Sequence, residues 1–149
     1  MKPGTILLHK DFVFADGATA DKYLITLGSE AGIAILVKTT SKGVRYRNDH
    51  GCQAAGRFPA FLLTVGCCCL PKSTWVCINE FYEIAEADLQ AKLVAGQVYK
   101  HGELPAELIR DLQVCVATCD DISAYQERVV RACFVPVSAS SPPSPSPCA

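Results

Sequence analysis

Lys22-Tyr23-Leu24-Ile25-Thr26-Leu27-Gly28-Ser29-Glu30-Ala31-Gly32-Ile33-Ala34-Ile35-Leu36-Val37-Lys38-Thr39-Thr40 is the stretch whose reading decides the fold class. Tyr23, Ile25 and Leu27 alternate onto one face, the period of a strand over residues 22–27. Gly28-Ser29-Glu30 reads as a break. Residues 32–37 are apolar throughout, which suits a strand buried on both faces. Working outward, residues 6–14 are apolar and β-prone, and Asp16-Gly17 marks a turn. Residues 38–48 form a basic, polar connection. Residues 61–69 are another apolar β-like run, bounded by Pro59 and Pro71, and residues 74–78 read as the next strand.

The period then changes. Leu89, Leu93 and Val94 recur at helical spacing within residues 85–94, and Gly102 breaks the pattern. Pro105 suits the first residue of a helix, where its missing N–H costs nothing. Leu108, Ile109, Leu112, Cys115 and Val116 follow as one apolar stripe. A third helix, with Asp120 or Asp121 as its cap, carries Ile122, Tyr125, Val129, Val130 and Cys133. Strands followed by short helices imply an α+β fold, a small barrel with helices packed on it.

The chain has 149 residues and a formal net charge of −1. That length suits one domain, over residues 1–135, and the charge gives no global attraction to nucleic acid or membrane. Any nucleic-acid site must be a local patch. Residues 136–149 are Ser/Pro-rich, with nothing to bury, and are expected to be disordered. Pro142-Pro143-Ser144-Pro145-Ser146-Pro147 also suits a polyproline II ligand.

Nine cysteines would suit a secreted disulfide scaffold. Three features point instead to reduced thiols and a cytoplasmic protein. The count is odd, the N-terminal apolar run is too short for a signal peptide, and Cys67, Cys68 and Cys69 are consecutive. No apolar run approaches the length needed to cross a bilayer. His50-x-Cys52 and Cys67-x-Cys69 offer four zinc-type ligands, but structural sites more usually show Cys-x-x-Cys, and buried thiols explain the run more simply.

The order of motifs resembles the PemK/MazF-like toxin family of SH3-like barrels. Lys2-Pro3-Gly4-Thr5-Ile6-Leu7 is similar to that family's first strand after a Gly, and the loop over residues 16–21 followed by Lys22-Tyr23-Leu24-Ile25-Thr26-Leu27 to its second. Val37-Lys38-Thr39-Thr40-Ser41-Lys42-Gly43 resembles the strand ending in a Thr-Ser pair. Lys72-Ser73-Thr74-Trp75-Val76-Cys77-Ile78, then Leu89, then Gly102-Glu103-Leu104 and the helix through Leu108 and Leu112 resemble the closing half.

The resemblance spans residues 2–117. It implies a homodimer that binds an antitoxin-like protein and cleaves single-stranded RNA without a metal or other cofactor. It also implies catalytic roles for Thr40 and for the position held by Lys22. The family carries Arg there, and Lys offers a point charge in place of a planar fork. A non-catalytic barrel that binds RNA or a protein is the alternative.

Independently of the resemblance, Lys38, Ser41, Lys42, Arg45, Tyr46, Arg47 and His50 combine cations with one aromatic, a pattern suited to phosphates and a stacked base. If extended, the segment puts Arg45 and Arg47 on one face and Tyr46 on the other. His50 has the ordinary range of a general acid or base. The plainer reading of each is a solvated loop side chain, and that of Thr40 is a hydroxyl bonded to nearby backbone.

Overall fold

Neighbouring residues in the central strands feed two different apolar layers. Ile6, Ile25, Leu27, Ile35 and Val37 belong to one buried cluster, and Leu7, Leu24, Ala34 and Leu36 to another. This is the outcome of period-2 alternation in a sheet covered on both faces. The computed structural model describes residues 1–137. In chain order its elements are β1 (Thr5–Val13), β2 (Thr19–Glu30), β3 (Ile33–Thr40), β4 (Gly51–Gln53), β5 (Ala60–Leu63), β6 (Thr74–Ala85), α1 (Glu86–Val94), β7 (Val98–Glu103), α2 (Ala106–Ala117) and α3 (Ala124–Ala132).

The strands form one antiparallel sheet in the order β4-β5-β6-β3-β2-β1-β7. The class is α+β. Among the described residues the pairing does not close, with β4 and β7 at its edges, so the α+β class is shown and the small barrel expected from the sequence is not. Leu108, Ile109, Leu112, Cys115 and Val116 of α2, with Val129 and Val130 of α3, complete the first cluster. Leu89 of α1 and Val98 of β7 complete the second.

Gln113 pins α2 to the sheet and to the segment that ends α3. Its side chain is fully buried, and its Nε2 donates to the carbonyls of Leu27 (2.8 Å) and Cys133 (2.7 Å). Its Oε1 accepts from the Val135 N–H at 2.9 Å. A buried amide with these bonds made is stabilising where an unpaired one would be costly.

Several elements differ from their sequence reading. The supposed break at Gly28 lies inside β2, where the register against β3 shifts between Thr26 and Gly28. A Cβ on Gly28 would stand 2.8 Å from the Cβ of Cys133, so the glycine lets the end of α3 approach the sheet. The turn falls instead at Ala31-Gly32, because Glu30 pairs with Ile33. Both turn residues have positive φ, 50° at Ala31 and 80° at Gly32, the two-residue hairpin geometry that matches strand twist. The apolar run over residues 61–69 is a strand only to Leu63, and Cys67, Cys68 and Cys69 lie in a bend after the turn at Val65-Gly66. Gly102 lies inside β7, not at a break, and β4 and β7 are both short strands that the pattern did not reveal. The third helix is capped by Ser123, not by an aspartate. The Ser123 hydroxyl accepts from the Gln126 N–H, and the Gln126 side chain accepts from the Ser123 N–H.

The cysteines depart most from expectation. Cys52 of β4 and Cys115 of α2 form a disulfide, so the thiols are not all reduced and Cys52 is not available as a metal ligand. Among the described residues no helix is long and apolar enough to cross a membrane. The Ser/Pro-rich segment, from residue 138 onward, lies outside the described residues.

Candidate functional site

The antiparallel register decides which of the candidate residues meet. Leu24 of β2 pairs with Lys38 of β3, so Lys22, two residues away, reaches the level of Thr40. Across the next ladder Val37 pairs with Phe81, while Thr39 pairs with Val76. Only Lys38 intervenes on β3, whereas residues 77–80 intervene on β6. This bulge carries Glu80 to Lys38, and their side chains pair at 2.6 Å. The carboxyl of Glu80 is held below its usual range by that bond.

Phe14, at the end of the β1–β2 hairpin, supplies the wall. Lys22 Nζ lies 5.6 Å and Lys38 Nζ 5.5 Å from its ring centroid. Two ammonium groups thus gather at one aromatic ring. Together with Thr39, Thr40, Lys42, Val44, Arg45, Tyr46 and Cys77 they line an open cleft of about 390 Å³. A second hollow of about 270 Å³ adjoins it through Lys22, Thr39 and Thr40 and is bordered by Ser41 and Lys72. Burial, reinforced by the positive charges of Lys38 and Lys42, holds the Lys22 ammonium below its usual range.

The loop over residues 41–50 is fixed mainly through its backbone. The Trp75 indole N–H donates to the Arg47 carbonyl at 2.9 Å. Gln53 Nε2 donates to the same carbonyl at 2.9 Å and to that of Asp49 at 2.6 Å. Gly43 rests on the Trp75 ring, where any Cβ would collide. Tyr46 stacks on Trp75 with centroids 6.2 Å apart, over the small cluster of Ala60, Leu62 and Trp75. Its hydroxyl turns inward to the Cys77 thiol at 3.6 Å. Burial, with that hydrogen bond, pushes the Tyr46 phenol up to about 12, and burial likewise raises the Cys77 thiol.

The structure therefore brings together Lys22, Lys38, Thr40, Ser41, Lys42, Arg45 and Tyr46. It separates His50 from them, and Arg47 lies outside the cleft but shares a smaller recess with Arg45. Arg47 pairs with Asp49 at 2.7 Å. His50 meets the Thr64 hydroxyl at 3.1 Å and lines a different groove, beside Cys52, Asp111 and Cys115. Thr40 Oγ1 accepts from the Lys42 N–H at 3.1 Å, the local turn-holding bond open to a strand-end threonine. Thr39 is buried, and its hydroxyl donates to the Tyr23 carbonyl.

Sequence reasoning missed Phe14, Cys77, Arg57 and Phe58. Arg57-Phe58 repeats the cation-beside-aromatic signal of Arg45-Tyr46-Arg47 and was legible on that ground. Phe14 and Cys77 were not, because only the sheet register sets them against Lys22 and Tyr46. Among the described residues no group of three or more His, Cys, Asp or Glu side chains is placed to hold a metal ion. No family model, curated protein or solved structure matches the chain.

Proposed function

We propose that this chain binds single-stranded RNA in the cleft between Phe14, Lys22, Lys38, Lys42, Arg45 and Tyr46, as a non-catalytic module. Charge carries the reading: among the described residues Lys22, Lys42 and Arg45 have no carboxylate partner, although the chain as a whole is slightly acidic. Cations left unpaired around aromatic rings suit phosphates and bases of one strand. The resemblance to PemK/MazF-like proteins supports RNA as the polymer. It also carries a homodimer, an antitoxin-like partner and a cytoplasmic location, of which the first is tested by the mass of the protein in solution.

Metal-independent cleavage by Lys22 and Thr40 is the second reading. One observation favours it: a Lys22 ammonium depressed by burial gives up its proton more readily. Against it, the Thr40 hydroxyl is engaged by the loop backbone, and His50 stands outside the cleft.

Both readings are tested by incubating the full chain with labelled single-stranded RNA in EDTA. Anisotropy should report binding that weakens steeply with salt, and Lys22→Ala and Arg45→Ala should each weaken it. Absence of binding at about 50 mM salt overturns the proposal. Cleavage that disappears in both Lys22→Ala and Thr40→Ala selects the second reading.

A further inference from the structure

We infer that the cleft continues past Arg45 onto a second subsite at Arg57 and Phe58, where the Phe58 ring stacks one base of a single strand. The inference rests on the cleft reading above and extends it to the length and base content of the ligand. Tyr46, the aromatic that the sequence offers for stacking, is largely committed: one face lies against Trp75 and its hydroxyl is turned to Cys77. Phe58 is different. It stands 37% exposed beside Tyr46.

Two guanidinium groups lie over the Phe58 ring, Arg45 Cζ at 5.7 Å and Arg57 Cζ at 5.4 Å from its centroid. Neither arginine has a carboxylate partner among the described residues. Arg45 lines the large cleft and also a recess of about 140 Å³ with Arg57, Phe58 and the Asp49-paired Arg47, so the two sites are continuous through one side chain. The Phe58 ring meets Tyr46 in a T-shaped contact, with centroids 6.4 Å apart. Two unpaired, planar cations that turn from the ring to the phosphates of a strand would leave the aromatic face beneath them to the base between those phosphates. A polyanion without bases would use the arginines but leave the ring idle.

The test compares three fluorescein-labelled probes on the full chain by anisotropy: a uridine octamer, a uridine trimer and an abasic octamer of the same charge. The octamer should bind most tightly. Phe58→Ala should lower octamer affinity about tenfold, the scale of one lost base stack, and leave the abasic probe unchanged. Phe58→Trp should restore the octamer, which a merely misfolded loop would not allow. Lys22→Ala should weaken octamer and abasic probe alike. If Phe58→Ala binds both octamers as the unaltered chain does while Lys22→Ala weakens them, the second subsite is overturned and the cleft reading stands. If Lys22→Ala has no effect, or no probe binds, the cleft reading falls and this inference with it. Equal affinity of the unaltered chain for octamer and abasic probe identifies a general polyanion site and also overturns base stacking.

Discussion

The two faces of the β5–β6 end are finished by different means. Phe61, Leu63, Val76 and Ile78 point into the cluster completed by α2 and α3, where Leu112 and Val116 are fully buried. Ala60, Leu62 and Trp75, on the opposite face, are covered by a loop that contributes Tyr46 alone to the apolar contact. A helix can offer a continuous apolar stripe, and its own backbone hydrogen bonds are internal. A loop rich in Lys and Arg can do neither. It is held instead by carbonyls bonded to Trp75 and Gln53, and its cations are left facing solvent. The candidate ligand surface therefore lies where no helix covers the sheet.

The largest expected effect comes from the link between these regions. Cys52 and Cys115 are 63 residues apart in sequence, and their bond ties the edge strand β4 to α2. Replacing both by Ser should lower the unfolding free energy by about 4 kcal/mol through the freer unfolded chain. Urea unfolding measures it, and an unchanged midpoint would mean that the bond contributes nothing. Next, Leu112→Ala on the helix-covered face should cost about 3 kcal/mol by leaving a cavity. RNA affinity of the folded variant should not change; a parallel loss of affinity would break the separation between the two faces.

A smaller, opposite effect is expected at the β2–β3 hairpin. Ala31 holds φ at 50°, a conformation that asparagine tolerates better. Ala31→Asn should therefore stabilise the fold by about 1 kcal/mol, and a lower melting temperature would contradict the turn geometry. The smallest effect belongs to Tyr46. Its phenol titrates near 12 when folded, above the ordinary 10.0, so the folded state retains a proton that the unfolded chain releases. Stability should thus fall as pH rises between those two values. Tyr46→Phe should remove one late step from the tyrosinate absorbance titration; loss of amplitude from the ordinary step near 10.0 instead would mean that the phenol is not buried as described.

Much of the helical half was legible. The stripe from Leu108 to Val116 foretold α2, which starts one residue after the Pro105 expected to open it, and the change of period foretold α1 within a residue. The unbroken apolar run after Gly32 foretold a strand buried on both faces, as β3 is. The basic loop was legible as a patch, though not which of its members face one another. Gly28 misled because glycine marks both breaks and close approaches, and only the position of Cys133 distinguishes them. Cys52 and Cys115 misled because an odd count and a consecutive run describe compartment statistics, not distances.

The sequence by itself determined the alternation of the strands, the α+β order and the local concentration of charge, since each depends on neighbours within a few residues. The tertiary structure alone decided the open edges of the sheet, the disulfide and the gathering of Lys22 and Lys38 at Phe14. Those depend on strand register and long-range packing. In a sheet, a register slip of one residue exchanges the two faces, so no local pattern could place these groups together.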